Sequence, residues 1–419
     1  MTAALMSYEE ASSLVLARAN ELRRLHRPVE HAALAAAFGR VLAEPVLADR
    51  DQPPFARSTR DGYACRASEA AAHSWLPVAG TIRAGQAPDG PLAPGAAWEI
   101  MTGAPVPDGA DAVVMLEHVE SAGGQIRLVP SRTVGPGENI VPRAAEARQS
   151  DTLLAPGSRL TPANVAVAAS CGYAVVPIFA RPRVAILTTG DELIPVDAAP
   201  GPGQIRNSNA PMLAALVSAG GGKPLILPTA ADNAEALDFS LSQAAIADLL
   251  LISGGVSAGK FDLVEEALAR AGAQFHFTGV RIQPGKPVVF GELPRGGQNG
   301  NDQRIQPFFG LPGNPISSAV TFLLFAAPVL AALAGNSELG PRFALAKLGK
   351  NCDGKPGLTR FVPANCTFAS GAAEFPSVTP VGSQGSGDLA AFARSNCFLV
   401  VPEAAESIAA GEIVRILLS

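Results

Sequence analysis

The segment from Arg181 to Gly335 alternates apolar strand patterns with helix patterns, and this alternation restricts the fold more than any other feature of the chain. The runs RVAILTTG, KPLILPTA and DLLLISGG are each followed by a stretch in which apolar residues recur at helical spacing. Strands separated by helices of this length form parallel βαβ units. Ligands bind beyond the carboxyl ends of such strands, so the residues that follow each strand are the first candidates for a site.

A glycine-rich turn, Gly254 to Lys260, follows the apolar run DLLLIS and matches parts of two catalytic motifs. It begins like a phosphate-binding P-loop, but Phe261 occupies the position of the hydroxyl that should hold magnesium. It also spells the GxSxG nucleophile elbow around Ser257, but His276 is the only downstream histidine and Asp262 the only aspartate between them. The interpretation that remains is a turn whose amides face an anion; the alternative is a tight turn that only packs.

Acidic residues recur after the predicted strands of this segment. Asp191 and Glu192 lie in TTGDEL, Asp232 lies in TAADN, and Asp262 follows the glycine-rich turn. Acids that converge at one sheet edge would repel a phosphate unless a cation such as Mg²⁺ bridges them. Each acid alone is as well explained as a helix N-cap, but their recurrence predicts a magnesium-assisted phosphate site.

Two turns bracketed by prolines complete the predicted edge, QPGKP at 283–287 and LPGNP at 311–315. Proline fixes φ and glycine permits close approach of the backbone, so these are rigid loops suited to a polyanion. Lys286 is the cation within them, and its alternative is a solvated surface lysine. Earlier in the chain, Asp61 in RDGYA and Thr102 in IMTGAPVPDGAD occupy settings typical of turns.

Composition excludes several classes of protein. A net charge of −5 without a basic run argues against nucleic acid. The 5 cysteines form no CxxC pair, which favours reduced thiols and a cytoplasmic location, and the 5 histidines have no zinc-ligand spacing. The longest apolar run, 319–335, is interrupted by Pro328 and is shorter than the roughly 20 residues of a membrane span, so neither a span nor a signal peptide is expected.

The length of 419 residues predicts two to four domains. The chain opens with a helix from Tyr8, and residues 158–180 return to helix and strand, which we expect to pair with that helix. The run AVVMLEHVE from Ala112 is followed by a Ser-Ala-Gly-Gly turn and QIRLV, which predicts a hairpin. The predicted domains are a discontinuous N-terminal domain (1–50 and 150–181), a β-rich module (51–149), an α/β domain (182–335) and a C-terminal β domain (336–419).

Taken together and in this order, RDGYA, IMTGAPVPDGADAVVM, TTGDEL, SGGVSAG with Asp262, PGKP and LPGNP closely resemble the molybdopterin molybdenumtransferase family, which includes MoeA and the E domain of gephyrin. Near the end of the chain, SQGSGDLAAFARSN resembles the last module of that family, so the resemblance covers nearly the whole sequence. It implies a multidomain α/β plus β fold with a three-layer, MogA-like molybdopterin-binding domain, in an elongated homodimer.

The resemblance also implies an activity, the insertion of molybdate into adenylylated molybdopterin with release of AMP and a requirement for Mg²⁺. The residues that match the family's catalytic positions are Asp61, Thr102, Glu192, Asp232 and Asp262, the last three also being the expected metal ligands. Those expected to bind pterin, phosphate or molybdate are Ser253, Gly254, Gly255, Ser257, Lys286, Pro312, Asn314, Pro315 and Ser386, with Arg360 as a further candidate. Asp61 and Thr102 are expected to reach the cleft of the partner subunit.

The sequence departs from the family pattern at two places. Gln283 stands where a basic residue often precedes PGKP, and Arg281, two positions earlier, could substitute for it. The run VPRAAE at 141–146 replaces an RRRGED-like segment, so that Arg143 is its only base and Glu146 stands where aspartate is usual.

Two other functions match parts of the sequence. An enzyme resembling molybdopterin adenylyltransferase would use the α/β domain, and a non-catalytic pterin-binding scaffold, as in gephyrin, would share the dimer. The extra domains argue against the first, and the acids argue against the second. The expected partners are a second copy of the chain and, further, molybdopterin adenylyltransferase and the maturation proteins of molybdoenzymes, with no nucleic acid and no membrane.

Overall fold

The computed structural model describes residues 5–25, 27–255, 263–295, 304–368 and 375–419. Its helices, in chain order, are α1 (Tyr8–Arg23), α2 (Ala67–Ala70), α3 (Pro162–Ser170), α4 (Asn209–Ala219), α5 (Ala234–Ala244), α6 (Leu263–Arg270), α7 (Pro315–Thr321), α8 (Ala327–Leu333) and α9 (Leu389–Ala393). Its strands are β1 (Val29–Ala33), β2 (Val46–Leu47), β3 (Arg57–Ser58), β4 (Gly62–Cys65), β5 (Leu76–Ile82), β6 (Ala97–Ile100), β7 (Ala112–Met115), β8 (Val119–Ala122), β9 (Gln125–Leu128), β10 (Ile140–Val141), β11 (Thr152–Leu154), β12 (Val175–Phe179), β13 (Arg183–Thr188), β14 (Leu193–Ile194), β15 (Ile205–Arg206), β16 (Lys223–Ile226), β17 (Leu249–Ser253), β18 (Gln274–Phe277), β19 (Ile282–Gln283), β20 (Val289–Arg295), β21 (Arg304–Leu311), β22 (Phe343–Leu348), β23 (Cys352–Asp353), β24 (Thr359–Thr367), β25 (Ser377–Pro380), β26 (Cys397–Val401), β27 (Ser407–Ile408) and β28 (Ile413–Leu418).

The predicted βαβ segment forms a mixed sheet with the strand order β16-β13-β17-β21-β20-β18. The first four strands are parallel, and β20 runs antiparallel to both of its neighbours. Every residue of β17 is buried, as is typical of a parallel strand covered on both faces. Leu249 and Leu251 belong to one apolar core with α4 and α8, whereas Leu250 and Ile252 belong to another with α5 and α6. The predicted three-layer arrangement is confirmed.

Helix α1 presents one apolar face to the first of these cores. Ser7 caps the helix: its Oγ accepts from the N–H of Glu10 (3.1 Å), and Glu10 Oε2 accepts from the N–H of Ser7 (2.8 Å). The buried residues of α1 recur at every third or fourth position and are Tyr8, Ala11, Val15, Ala19 and Leu22. They place α1 against α8, and not against the 158–180 stretch with which the sequence suggested it would pair.

The same core extends into the C-terminal strands. It contains Phe361 of β24 and Leu417 of β28, together with Phe325 of the long helix, which runs from Pro315 to Leu333. The ring of Tyr8 meets the Phe361 ring edge-on at 5.5 Å between centroids and lies 6.4 Å from the Phe325 ring. Helix α1 therefore holds the C-terminal strands against the α/β sheet.

A buried ion pair also fixes α1 to the sheet. Arg18 donates to both carboxylate oxygens of Glu292, with 2.9 Å from Nη2 to Oε2, and Glu292 is only 6% exposed. His276 Nε2 lies 3.5 Å from the same oxygen, and its ring packs on Phe290. A buried carboxylate is tolerated when such donors surround it. The pair therefore fixes where along the sheet α1 sits.

The most apolar helix runs from Pro315 to Leu333 and continues through Pro328, contrary to the interruption expected from sequence. A π-helical turn, Phe322–Ala326, precedes α8, and Pro328 falls in the first turn of α8. The wider turn accommodates a proline that would clash with a regular α-helical turn before it. By length and composition this helix could cross a membrane, but 78% of its most apolar window is buried inside the protein, as in a core helix.

The β-rich module contains a sheet of order β7-β4-β6-β5-β9-β8. Strands β8 and β9 form the predicted hairpin, and its turn residues Gly123 and Gly124 both have positive φ. The run expected to be one strand from Ala112 is divided by a 3₁₀ turn, Leu116–His118, so that β7 and β8 lie at opposite edges of the sheet.

Strand pairing links the two sides of the β-rich module. Strand β1 pairs antiparallel with β12, and β2 pairs antiparallel with β11. The apolar core between them includes Leu42, Val46, Leu160 and Ile178. Residues before and after the module thus share one small core.

The C-terminal strands form a sheet of order β19-β24-β25-β22-β28-β26, in which β26 also pairs with β24. This extra pairing closes β24, β25, β22, β28 and β26 into a small barrel. Strand β19, from the QPGKP segment, lies parallel to β24 at the edge of this barrel. One of the proline-bracketed turns is therefore anchored in the C-terminal strands.

All five cysteines are free and buried, as the sequence predicts for reduced thiols. Burial raises the pKa of the Cys65 thiol to about 12, and that of Cys397 also to about 12. These thiols are therefore protonated at neutral pH and act as small apolar side chains.

Tyr8→Ala should lower the free energy of unfolding by about 3 kcal/mol, because it empties a ring-sized volume in the core shared by α1, the long helix and β24. Tyr8→Phe keeps the ring and should cost about 1 kcal/mol or less. Urea titrations followed by far-ultraviolet circular dichroism would compare the two variants. Equal losses would mean that the hydroxyl, and not the ring packing, carries the interaction.

Gly62→Ala should destabilise the β-rich module by about 1–3 kcal/mol, since a Cβ there would lie 2.0 Å from the carbonyl oxygen of Val114 on the neighbouring strand β7. Gly80→Ala in the same sheet is the matched control, because its Cβ would meet Trp98 at an ordinary 3.9 Å. The 2 tryptophans of the chain, Trp75 and Trp98, both lie in this module, so their fluorescence reports on it. A control variant that unfolds as early as Gly62→Ala would disprove the steric explanation.

Candidate active site

A cleft of about 1430 Å³ lies at the carboxyl ends of the parallel strands β13, β17 and β21. The loops after these strands form one wall, and residues around β24 and before α9 form the other. The predicted site residues that line the cleft are Glu192, Asp232, Ser253, Gly254, Gly255, Lys286, Pro312, Asn314, Pro315, Ser386 and Arg360. Ser257 and Asp262 lie outside the described residues.

The glycine-rich turn after β17 needs glycine for steric reasons. Gly254 has φ +99°, and a Cβ there would lie 2.5 Å from the carbonyl oxygen of Thr189. Gly255 has φ +65°, and its Cβ would lie 2.6 Å from Val264. The N–H of Gly254 donates to the carbonyl of Leu311 (3.2 Å), so this amide is already used inside the protein and is not available to an anion. Gly254 contributes space to the cleft and no free donor, which corrects the expectation from sequence.

The acids after β13 and β16 lie close together. The N–H of Asp232 donates to Asp191 Oδ1 (3.1 Å), and Glu192 and Asp232 both line the cleft. Partial burial, with the nearby charges of Asp191 and Glu192, raises the pKa of the Asp232 carboxyl. A cation beside them would relieve this repulsion.

The acid cluster is not a complete metal site. Within the described ranges, no group of three or more His, Cys, Asp or Glu side chains is arranged to hold a metal ion. Glu192 and Asp232 could supply at most part of a coordination shell. A ligand that brings its own oxygen atoms would have to complete it, as substrate phosphates commonly do for Mg²⁺.

The two proline-bracketed turns both line the cleft. Gly285 has φ +113°, and a Cβ there would lie 2.5 Å from Thr321, so the QPGKP turn packs closely on the long helix. In the LPGNP turn, Asn314 Nδ2 donates to Ser386 Oγ (2.8 Å), and the N–H of Ile316 donates to the Ser386 carbonyl (3.0 Å). These bonds join the α/β domain directly to the C-terminal strands at the site.

Both walls of the cleft contribute cations. Arg360 comes from β24 and Lys355 from the turn before it, whereas Lys286 comes from the QPGKP turn and Arg206 from β15. The Nε of Arg360 is buried without a hydrogen-bond partner among the described residues. Sequence analysis missed Lys355 and Arg206, because neither lies in a motif and only the fold brings them to the cleft.

Arg281 does not take the place of the base missing at Gln283. Its guanidinium donates to Glu403 (3.1 Å) and to the Leu5 carbonyl (3.2 Å). The cleft-lining set among the described residues contains Gln283 but not Arg281. Pairing with Glu403 is the physical reason, since an exposed cation beside a carboxylate is held where the two charges meet.

Asp61 and Thr102 lie together in the β-rich module, away from the cleft-lining set of the described residues. The N–H and the hydroxyl of Thr102 both donate to Asp61 Oδ1, at 2.7 and 2.9 Å, and these bonds lower the pKa of Asp61. Both side chains are exposed. The predicted pair exists as a pair, but the structure does not bring it to the cleft of the same chain.

The remaining base and acid of the 141–146 run are also occupied nearby. Arg143 donates to Asp51 (2.6 Å), and Arg57 donates to Glu146 (2.9 Å). Arg57 lies four residues before Asp61 in sequence, so these ion pairs support the segment that carries Asp61.

Buried polar side chains on the floor of the cleft were also missed from sequence. Asn209, the first residue of α4, and Thr189, directly after β13, both line the cleft and are almost fully buried. A polar residue at the start of a helix is ordinarily attributed to capping, which hides such a role. The signal that could have found Asn209 is its place in RNSNAP, between a predicted strand and a helix.

Comparison with known proteins gives matches along the whole chain. The family model for the MoeA N-terminal region (domains I and II) matches residues 6–172, the probable molybdopterin-binding domain matches 185–332, and the MoeA C-terminal region (domain IV) matches 346–419. A molybdopterin molybdenumtransferase from Nostoc sp. is 35% identical over 391 residues, covering 92% of this chain and 87% of its own length. The Bacillus subtilis protein of the same name is 34% identical over 397 residues, covering 93% and 89%.

Solved structures agree with the sequence matches. A molybdopterin biosynthesis MoeA protein from Pyrococcus horikoshii superposes with a TM-score of 0.79 at 29% identity, covering 99% of this chain and 100% of its own. A second MoeA structure from Pyrococcus horikoshii gives a TM-score of 0.73 at 28% identity, with 99% coverage of each chain. The resemblance inferred from the motifs is confirmed, and the chain belongs to the molybdopterin molybdenumtransferase (MoeA) family.

Proposed function

We propose that this protein is a molybdopterin molybdenumtransferase that takes adenylylated molybdopterin and molybdate and releases AMP. The observation that carries the proposal is the distribution of charge in one cleft, with Glu192 and Asp232 on the sheet side and Lys355 and Arg360 on the C-terminal side. Such a cleft suits a substrate that contains a phosphoanhydride and is joined by a second oxyanion. The similarity to molybdopterin molybdenumtransferases over more than 90% of the chain supports the assignment.

In the proposed reaction, the phosphoanhydride between pterin phosphate and AMP is broken. Water attacks the phosphorus of the pterin phosphate, the bond from that phosphorus to the bridging oxygen breaks, and AMP leaves with the bridging oxygen and its negative charge. Lys286, which projects from a rigid turn, would bind the phosphate oxygens and stabilise that charge. Glu192 or Asp232, which both line the cleft, would accept the proton of the attacking water. Pro312 and Pro315 hold the LPGNP turn in one shape as the cleft wall.

Magnesium fits the acidic side of the cleft as a proposal. Partial burial, with the added repulsion of Asp191 and Glu192, raises the pKa of Asp232, and a cation would relieve that repulsion. The two cleft-lining carboxylates, Glu192 and Asp232, match the one or two that proteins commonly give Mg²⁺ beside phosphates. When bound there, the ion would neutralise charge on the phosphoanhydride. Asp262 remains a predicted third acid.

A homodimer and a shared site are proposed for the same protein. Helix α3, PANVAVAAS, is apolar, yet Ala168 is its only buried residue. Phe38 and Val175, each next in sequence to a residue of the small core that contains Ala168, are 65% and 51% exposed. A second copy would cover such a surface. It would also explain why Asp61 and Thr102 lie outside the cleft of their own chain, if they complete the cleft of the partner subunit.

Buried, protonated thiols are consistent with the expected cytoplasmic location. Molybdopterin adenylyltransferase, which would supply the substrate, and maturation proteins of molybdoenzymes, which would receive the product, are the proposed further partners.

Asp232→Asn should lower the rate of AMP release from adenylylated molybdopterin by about 10²-fold or more in the presence of molybdate and Mg²⁺. The same variant should melt at a higher temperature than wild type at pH 7. A raised pKa in the folded state means that ionised Asp232 destabilises the fold once the pH rises through that pKa, and the amide removes this cost. The gain should disappear as the pH falls below 3.8, the ordinary value of the carboxyl.

Asp238→Asn is the matched control for this measurement. Asp238 lies on α5 in an exposed ion pair with Arg270 (2.9 Å), outside the cleft-lining residues of the described chain, and its loss should leave AMP release unchanged. Full activity in Asp232→Asn would remove the acid from the mechanism. Wild-type protein that binds pterin without releasing AMP would indicate a scaffold, and one that forms the adenylate from ATP would indicate an adenylyltransferase.

Complementation tests the shared site. Asp61→Ala and Asp232→Asn should each be nearly inactive, whereas their co-expression should recover about a quarter of wild-type activity, since half of random dimers are mixed and each mixed dimer holds one intact site. Co-expression of Asp61→Ala with Thr102→Ala is the control and should recover nothing of that size, because both changes damage the same half of the site. No recovery in the first mixture would place Asp61 outside the partner's cleft.

A further inference from the structure

Asn209 occupies the floor of the cleft with both of its amide hydrogens already used. Its Nδ2 donates to Ser253 Oγ (2.9 Å) at the end of β17 and to the Gly313 carbonyl (2.6 Å) in the LPGNP turn. Ser318 continues this network, since its Oγ lies 3.2 Å from Ser253 Oγ and donates to the Pro312 carbonyl (2.6 Å). The amide of Asn209 is therefore locked in one orientation by two separate loops of the cleft.

This network identifies which atom of the amide remains free. A backbone carbonyl can only accept, so the atom that faces Gly313 must be the nitrogen, and the other terminal atom is Oδ1. Asn209 Oδ1 is buried and has no hydrogen-bond partner in the part of the chain that the structure describes, and the residue is 9% exposed. An acceptor shielded from water without a donor is unfavourable unless something supplies one.

A second polar atom without a partner lies on the neighbouring wall. Thr189 is 4% exposed, and its Oγ1 has no hydrogen-bond partner within the described ranges. Thr189 and Asn209 both line the cleft. The Thr189 hydroxyl lies beneath the glycine-rich turn: its Oγ1 is 2.9 Å from the position that a Cβ on Gly255 would occupy. Two residues that line the cleft thus each carry a buried polar atom without a partner among the described residues.

Asn207, two positions earlier, shows what a satisfied asparagine looks like here. Its Oδ1 accepts from the N–H of Ala210 (3.1 Å), and its Nδ2 donates to Thr188 Oγ1 (2.8 Å) and to Thr229 Oγ1 (3.3 Å). Both asparagines line the same cleft. Of the two side-chain oxygens, that of Asn207 accepts a hydrogen bond and that of Asn209 accepts none from the described residues.

We propose that Asn209 Oδ1 accepts a hydrogen bond from an N–H or amino group of the heterocycle of the bound substrate and selects for that group. This inference rests on the proposed function, because it takes the ligand to be adenylylated molybdopterin. Phosphate and molybdate oxygens cannot satisfy an acceptor, so the anionic parts of the ligand are excluded from this position. The pterin and the adenine both carry an amino group, and that shared chemistry is what Asn209 recognises.

The role is one of specificity, and its test is a matched pair of ligands measured on matched variants. Equilibrium binding of AMP would be compared with that of purine riboside 5′-monophosphate, which lacks the exocyclic amino group. Binding of pterin-6-carboxylate would be compared with that of its 2-desamino analogue. Wild-type protein should prefer the amino-bearing member of one pair by about tenfold, the value of one hydrogen bond of ordinary strength.

Asn209→Ala should abolish that preference while the second pair stays unchanged, and the pair affected tells whether the pterin or the adenine lies on Asn209. Asn207→Ala should keep the preference, because its acceptor is occupied by Ala210 in the wild type. If Asn209→Ala does not fold by circular dichroism, Asn209→Ser, whose hydroxyl is too short to reach the same position, replaces it. An Asn209 variant that keeps the wild-type preference would overturn the inference, as would a wild type that prefers neither amino group.

Release of AMP by the same preparation separates this inference from the proposed function. Wild type that releases AMP, together with an Asn209 variant that keeps its preference, would reject the role of Asn209 and leave the transferase standing. Wild type that binds neither pair and releases no AMP would reject both.

Discussion

The packing of helix α1 into a core shared by the α/β sheet and the C-terminal strands is the interaction on which the rest of the structure depends. Tyr8 contacts Phe325 and Phe361, which belong to different parts of the chain, and Arg18 holds the buried carboxylate of Glu292 on the sheet. Because apolar burial is the main favourable term in folding, a core that spans two domains fixes their relative position by packing. The two walls of the cleft inherit that fixed geometry.

Local bonds then refine what the shared core places. Strand β19 extends the C-terminal sheet with residues of the QPGKP segment, and Asn314 bonds to Ser386 across the cleft. Prolines and glycines in both turns leave the backbone few alternatives once these bonds form. The site is thus assembled at a junction, where loops from one domain and strands from another meet on rigid supports.

Charge in the cleft is arranged for function at a cost to stability. Partial burial, with the repulsion of nearby Asp191 and Glu192, raises the pKa of Asp232. Asn209 Oδ1 and Thr189 Oγ1, on the floor of the same cleft, have no partners among the described residues. Repelling acids and unsatisfied polar atoms are unfavourable in the free protein, and both are relieved by a ligand of suitable charge and hydrogen-bonding groups. That they occur together in the cleft supports the cleft as the candidate functional site.

Sequence by itself determined the elements and much of the site. The periodicity of α1, the apolar β17, the Gly123–Gly124 hairpin and the acids after β13 and β16 were all readable, because local residue preference and tertiary packing agree there. Tertiary structure alone decided which groups are free to act. The N–H of Gly254 donates to the Leu311 carbonyl, Arg281 pairs with Glu403, and Lys355 enters the cleft from a turn far away in the chain. A motif specifies residue types, but whether a donor or a charge is available depends on the partner that folding brings beside it, and that partner is distant in sequence.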